Sequence, residues 1–127
     1  NKGWSRMLEE SRKTTLTNLR TAFQEMRKLE IPMIASTDVG IPGVYHEDLP
    51  DALAVFAQIA ELSPEQALRS ATSISAKALG IATSTGSLKT GKSADLLIVD
   101  GDPLQDLSAV KSIFKIYASG RDVMSLN

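Results

Sequence analysis

Cysteine is absent from this 127-residue chain, and histidine occurs once, at His46. The absence of cysteine excludes disulfide bonds, thiolate metal ligands and a cysteine nucleophile. It does not distinguish a reducing from an oxidising compartment, so the cytoplasm is only a default expectation. A catalytic zinc site usually needs three protein ligands, and a single histidine with one suitable aspartate falls short of that number.

A large charge of one sign and a long apolar run are also missing. The 14 basic and 15 acidic residues give a formal net charge of −1, and the lysines are scattered along the sequence. Without a strong positive field, nucleic acid is not an expected partner. Apolar runs such as residues 96–99 are far too short to span a bilayer, and no basic stretch leads into an apolar one near residue 1. We therefore expect no membrane partner.

The composition that is present is that of an ordinary globular domain. Hydrophobic residues make up 43% of the chain and charged residues 23%, which favours one domain with a single core. The chain begins at Asn1 without an initiator methionine and leads directly into a helical pattern. This start predicts a piece of a longer polypeptide.

The predicted elements follow the order helix, strand, helix, helix and a small β region. Apolar residues recur at helical spacing over residues 4–29, which predicts a long amphipathic helix. Residues 31–35 are apolar on both parities, a pattern typical of a strand buried on both faces in a parallel sheet. A loop rich in glycine and proline covers residues 39–45, and a second helix is predicted to begin near Asp48 or Pro50.

The third predicted helix has the clearest ends in the sequence. Ser63 can accept hydrogen bonds from the free amides of the first turn, and Pro64 lacks the amide that would be unpaired there. Gln66 can reach back to complete a capping box. Gly80 suits the C′ position, where a positive φ is needed, and we expect Leu79 on the apolar face of this helix.

A β region is predicted beyond residue 81, where threonine, serine, glycine and lysine become frequent. Two strands are expected, one within residues 94–100 and one within residues 112–119. Asp95, Asp100 and Asp102 lie close together there, but their spacing lacks the ligand alternation of an EF-hand loop. Turn and capping roles are therefore favoured over a cation site.

Asp38 is the candidate catalytic residue. It directly follows the predicted strand, and ligand-binding groups of βα architectures lie at the carboxyl ends of the strands. A carboxylate there can bind a divalent cation or accept a proton from a cation-bound water. The alternative is that Asp38 only caps the loop. His46 follows in the same loop, where a histidine without any role is the simpler interpretation of position alone.

Several motifs in a fixed order resemble the C-terminal region of the amidohydrolase superfamily, in the branch of imidazolonepropionase-like and Xaa-Pro dipeptidase-like enzymes. The match covers nearly the whole chain, and the order of the motifs makes it more specific than any one of them. The motifs are Ser36-Thr37-Asp38, the loop reaching His46, Ser63-Pro64-Glu65-Gln66-Ala67-Leu68, Thr85-Gly86-Ser87-Leu88-Lys89-Thr90-Gly91-Lys92, and Val99-Asp100-Gly101-Asp102-Pro103-Leu104.

The resemblance implies an α/β fold. The chain would be the C-terminal fragment of a (β/α)8 metal-dependent hydrolase barrel, together with the C-terminal strands of its small β-sandwich domain. Residues 1–80 would hold the last barrel strand, at residues 31–37, with its flanking helices, and residues 81–127 would belong to the sandwich. Because the other sandwich strands are missing, we expect exposed apolar faces on both predicted strands of the β region.

By the same resemblance, Asp38 matches the aspartate that binds metal, accepts a proton from the attacking water and donates it to the leaving amine. His46 matches a loop histidine near the substrate. Ser36 stands where many relatives have glycine, which is a mild departure. The other metal-binding histidines and the bridging lysine of the family have no counterpart here. A divalent metal, with zinc as the first choice, is therefore expected in the full-length parent, and the isolated chain is expected to be metal-free.

The expected function is thus the C-terminal part of a metal-dependent amidohydrolase that hydrolyses a C–N bond of a cyclic amide or small peptide-like substrate. The chain alone is expected to be inactive, with a small-molecule substrate and the missing N-terminal part of the barrel as partners of the parent. Two alternatives stay open. One is a non-enzymatic α/β module that covers its strand edges in a homo-oligomer; the other is one half of a split enzyme.

Overall fold

The computed structural model describes residues 2–124, in which a helical part precedes a small sheet. Residue 1 and residues 125–127, which belong to the predicted units 1–80 and 81–127, lie outside the described residues. Among residues 2–124, no helix combines the length and the apolar character needed to cross a membrane. The elements are α1 (Lys2–Lys28), a 3-10 helix (His46–Asp48), α2 (Leu49–Ala60), α3 (Pro64–Ala71), α4 (Ser73–Ala78), β1 (Leu96–Val99), a second 3-10 helix (Leu107–Lys111), β2 (Ile113–Ala118) and β3 (Arg121–Asp122).

The predicted first helix is confirmed as α1. Its side chains over residues 5–22 are exposed, and several of its threonine hydroxyls donate to the carbonyl oxygen four residues earlier, as Thr17 does to Lys13 at 2.9 Å. Near its C-terminal end, Phe23 is half-buried and packs edge-on against Phe56 of α2, with ring centroids 5.6 Å apart. Such a pair contributes about 1 kcal/mol beyond the burial of its area. The C-terminal part of α1 therefore anchors this helix to α2.

The buried core lies between the short helices and is made mostly of small side chains. Its members are drawn from α2, α3, α4 and the second 3-10 helix, and alanine is the commonest among them. Small residues allow helix backbones to approach closely, so the junction between α3 and α4 is tight. The buried residues are Leu53, Ala60, Ala67, Ser70, Ala76 and Val110.

The third predicted helix is divided in two by the structure. The capping box at its start is confirmed, because the Gln66 amide donates to the Ser63 hydroxyl oxygen at 3.3 Å and the Ser63 amide donates to the Gln66 side chain at 2.9 Å. The helix breaks at Thr72, whose φ of −127° and ψ of −93° are not helical. This break resets the helical phase, so the prediction that Leu79 lies on the apolar face is wrong, and its side chain is 68% exposed. Gly80 has the expected positive φ, +73°.

Residues 31–37 do not form a strand in the structure, contrary to the prediction. A parallel strand receives its hydrogen bonds from neighbouring strands, and none of the described strands pairs with this segment. Nor is it buried on both faces, since Met33, Ala35 and Thr37 are half-buried while the residues between them are exposed. The apolar residues are present as the sequence shows, but residues 2–124 contain no neighbouring strand with which residues 31–37 pair.

Both predicted strands of the β region are confirmed, as β1 and β2. With β3 they form an antiparallel sheet in the order β1-β2-β3, and Leu96 is opposite Tyr117 in the register of the first pair. The expected exposure of apolar side chains is also found, with Leu97 51% and Phe114 62% exposed. This sheet therefore presents apolar surface that residues 2–124 do not cover.

Candidate catalytic loop

Asp38 lies where the irregular segment 31–37 turns into the glycine-rich loop. Its φ of +57° is in the left-handed region, which aspartate tolerates better than most residues. The Asp38 amide donates to the Ser36 hydroxyl oxygen at 3.3 Å, a local bond of the kind that stabilises turns. The residue is exposed. The backbone thus turns sharply at Asp38 and leaves its carboxylate accessible to a ligand.

The loop that follows Asp38 depends on two glycines for its course. Gly40 and Gly43 have φ values of +120° and +83°, which glycine adopts without steric cost. A Cβ atom at either position would meet nothing within 4 Å. These glycines are therefore required by backbone conformation and not by packing, and the loop surface around them is open.

His46 lies at the far end of this loop, as the first residue of the 3-10 helix that leads into α2. The Tyr45 amide donates to the Asp48 carboxylate at 2.7 Å, and this bond holds the start of the short helix. His46 itself is exposed. The structure therefore places the two sequence-predicted site residues, Asp38 and His46, at opposite ends of one exposed loop.

A complete metal centre is not formed by the described residues. Within residues 2–124, no group of three or more histidine, cysteine, aspartate or glutamate side chains is arranged to hold a metal ion. A catalytic zinc site usually requires three protein ligands and an open position. Asp38 could therefore be only one ligand of a metal, and the residues present do not fit a metal on their own.

Two of the three aspartates singled out in the β region, Asp95 and Asp102, bind turn residues, as predicted. Asp95 accepts hydrogen bonds from the Ser119 amide at 2.8 Å and from the Thr85 hydroxyl at 2.9 Å. These bonds, with the Ser119 amide as the largest cause, hold the pKa of Asp95 below its ordinary value, because they favour the ionised carboxylate. Asp102 accepts from the Leu104 amide at 2.9 Å. Both carboxylates therefore have structural partners.

The role of Lys92 has no signal in the sequence. Its half-buried ammonium group donates to the Ala82 carbonyl oxygen, to the Thr85 carbonyl oxygen at 3.3 Å and to the Ser87 hydroxyl oxygen at 2.8 Å. A lysine has three donors, so all of them are used inside this turn region. Because these acceptors lie five to ten residues away along the chain, helical or strand periodicity could not have pointed to them.

Comparison with known proteins identifies the family. Residues 7–123 match the Amidohydrolase family, and the chain belongs to this family, whose members are generally metal-dependent. Imidazolonepropionase from Vibrio parahaemolyticus serotype O3:K6 is 39% identical over 83 residues, which cover 65% of this chain and 20% of that enzyme. Imidazolonepropionase from Photobacterium profundum is 36% identical over 90 residues, covering 70% of this chain and 22% of the enzyme.

Solved structures agree with these relatives. A Bifidobacterium longum protein assigned as a prolidase has a TM-score of 0.77 and 33% identity, covering 82% of this chain and 26% of its own. An Xaa-Pro dipeptidase with methionine bound in the active site has a TM-score of 0.71 and 25% identity, covering 81% of this chain and 25% of its own. The imidazolonepropionase-like and Xaa-Pro dipeptidase-like branch inferred from the motifs is thereby confirmed. The chain spans about a fifth to a quarter of the length of these relatives.

Proposed function

We propose that this chain is the C-terminal part of a metal-dependent amidohydrolase that hydrolyses a C–N bond of a cyclic amide or a small peptide-like substrate. The observation that carries the proposal is the position of Asp38. Its exposed carboxylate directly follows segment 31–37 in a chain whose relatives include imidazolonepropionases and an Xaa-Pro dipeptidase. Both names denote hydrolases of small molecules that contain a C–N bond.

In this proposal, residues 31–37 are the last strand of a (β/α)8 barrel and residues 81–127 belong to a small β-sandwich. Two features support the assignment. The segment begins with an apolar run yet has no strand beside it among the described residues, and the neighbouring strands of a barrel would supply the pairing that a parallel strand requires. The sheet likewise exposes apolar side chains such as Leu97 and Phe114, which a second layer of strands would bury.

Asp38 would act as the proton carrier of the reaction. Its ionised carboxylate would accept a proton from the water that attacks the carbonyl carbon. It would then transfer that proton to the nitrogen as the C–N bond breaks, which leaves a carboxylic acid and an amine or amide-type product. His46, exposed at the other end of the loop, would donate a hydrogen bond to a polar atom of the substrate and thereby orient it.

Asp38 would also be one oxygen ligand of a divalent metal, with zinc as the first choice. The other ligands would come from outside this chain, because the described residues hold no group of three suitable side chains. We therefore expect negligible turnover from the 127-residue chain alone.

The test uses a longer polypeptide that contains this chain and two probes, imidazolonepropionate and an Xaa-Pro dipeptide. Asp38→Asn should lower kcat by about a thousandfold on whichever probe is hydrolysed, since general acid–base catalysis contributes about 10²–10⁴-fold. The matched control is Asp51→Asn, which removes an exposed carboxylate of α2 that pairs with Lys111. Full turnover in the Asp38 variant, or metal-dependent hydrolysis by the 127-residue chain, would contradict the proposal.

A further inference from the structure

The carbonyl oxygen of Ser70 joins the segment that carries Asp38 to the helices. The Ala35 amide donates to it at 3.2 Å, and the Ser75 hydroxyl donates to it at 2.5 Å. Among the described residues, the Ala35 bond is the one backbone–backbone hydrogen bond that links residues 32–38 to another element. The Ser70 carbonyl therefore provides the backbone link between residues 32–38 and the helices.

The break between α3 and α4 explains why this acceptor is free. The last four carbonyl groups of a helix have no partner within it, and Ser70 lies in the last turn of α3. Two neighbouring carbonyls are satisfied by Thr72, whose amide donates to Arg69 and whose hydroxyl donates to Leu68 at 2.7 Å. Ser70 is only 1% exposed, so its carbonyl oxygen is shielded from bulk water. It accepts hydrogen bonds from the Ala35 amide and the Ser75 hydroxyl instead.

The Ser70 side chain has a separate role. Its hydroxyl donates to the Ala67 carbonyl oxygen at 2.6 Å, one turn earlier in α3. A carbonyl oxygen has two lone pairs, and those of Ser70 are matched by its two donors. The Ser75 hydroxyl can therefore fix the direction of the carbonyl without competing with the Ala35 amide.

We propose that Ser75 is a positioning residue for Asp38, which it reaches through the Ser70 carbonyl and the Ala35 amide. Only two residues separate Ala35 from Asp38, and the Ser36 hydroxyl accepts the Asp38 amide. A continuous set of hydrogen bonds and short backbone steps thus leads from Ser75 to the proposed catalytic carboxylate. The inference rests on the proposed function of Asp38, but its first test does not.

That first test is amide hydrogen exchange at Ala35 in the 127-residue chain. Ser75→Ala should accelerate exchange about fivefold, the effect of losing one hydrogen bond of ordinary net strength. Ser75→Thr keeps a hydroxyl and should restore the original rate. Ser70→Ala is the matched control, because it removes a hydroxyl from the same junction and keeps the carbonyl. Equal acceleration in the two alanine variants, no acceleration in either, or an unprotected Ala35 amide in the unmodified chain would overturn the inference.

The second test measures kcat and KM in the longer polypeptide. Ser75→Ala should lower kcat about tenfold with KM unchanged, because displacement of a catalytic group impairs chemistry more than binding, and Ser75→Thr should recover most of the loss. Asp38→Asn is measured beside it. If the Asp38 variant keeps full turnover, the proposed function fails regardless of Ser75. If it loses turnover while Ser75→Ala keeps the original kcat, the positioning inference alone fails.

Discussion

Gly86 closely approaches helix α4 from the β region, and its replacement by alanine tests this packing. A Cβ atom at Gly86 would lie 2.4 Å from the Cβ of Ala76, 3.1 Å from the Thr72 carbonyl oxygen and 3.5 Å from the Ser73 Cα. Ala76 is buried, with 4% of its surface exposed, and belongs to α4. The neighbours are therefore backbone atoms and a short, rigid side chain that cannot turn away.

Two costs of Gly86→Ala can be separated. The first is backbone strain, since Gly86 has a φ of +84°, where an alanine costs about 1–2 kcal/mol. The second is overlap, because carbon atoms pack best about 3.5–4.0 Å apart and overpacking a core usually costs about 1–3 kcal/mol. We expect the free energy of unfolding to fall by about 3–4 kcal/mol in total.

Gly91→Ala is the matched control because it has the same strain without the overlap. Its φ is +88°, and a Cβ atom there would meet nothing within 4 Å. The entropy that alanine removes from the unfolded chain is the same for both variants. Gly91→Ala should therefore lower the free energy of unfolding by only about 1 kcal/mol. Urea unfolding followed by circular dichroism gives both values.

A double-mutant cycle identifies the atom responsible for the overlap. Ala76→Gly removes the Cβ that Gly86→Ala would strike, so the combined variant should be more stable than the sum of the single changes by about 1 kcal/mol or more. Equal losses for Gly86→Ala and Gly91→Ala, or simple additivity in the cycle, would refute the close approach of this turn to α4.

Three further outcomes are expected. The pKa of Asp95 is lowered in the folded chain, chiefly by the Ser119 amide, so the stabilisation from this carboxylate is present above its unfolded pKa and is lost as pH falls through the folded pKa. The urea concentration at the unfolding midpoint should therefore decrease as the pH is lowered below about 4, and this decrease should be smaller in Asp95→Asn. The same pH dependence of the midpoint in both proteins would contradict this. Lys92→Met should lower the free energy of unfolding by about 2 kcal/mol because charged hydrogen bonds are lost, whereas the exposed Lys89→Met should change it little. Ser63→Ala should cost about 1 kcal/mol through loss of the N-cap, as measured by thermal unfolding.

The sequence predicted most successfully those features that depend on residues close together in the chain. The capping box of Ser63 and Gln66, the positive φ of Gly80 and the turn role of Asp102 each involve partners within a few positions. Periodicity also located α1 and the two longer strands. The break at Thr72 was not predicted, because residues 63–80 hold no glycine or proline between Pro64 and Gly80 that would interrupt a helical pattern.

The candidate site shows the same limit. A carboxylate after an apolar run was enough to single out Asp38, and the structure places it in a sharp, exposed turn. The segment before this turn is linked through the Ala35 amide to the carbonyl oxygen of Ser70, which also accepts the Ser75 hydroxyl, and both serines lie more than thirty residues later. As plain serines within a predicted helix, they offered no local pattern by which sequence reasoning could connect them with Asp38.

The behaviour of residues 31–37 follows from what a parallel strand requires. Such a strand takes hydrogen bonds from neighbours on both sides, whereas the described backbone hydrogen bonds of this segment to other parts of the chain are from the Ile31 amide to the Met26 carbonyl oxygen at 2.9 Å and from the Ala35 amide to the Ser70 carbonyl oxygen at 3.2 Å. If further strands pair with the segment in a barrel, the Ala35 amide is already bonded to Ser70. A neighbouring strand on the edge to which this amide points would therefore have to end its pairing before Ala35. Asp38 would then stand beyond the last rung of the ladder, at the open mouth where a substrate can reach it. The lack of neighbouring strands thus accounts for the absence of a strand among the described residues, and the engaged Ala35 amide would limit how far a barrel could extend its pairing toward Asp38.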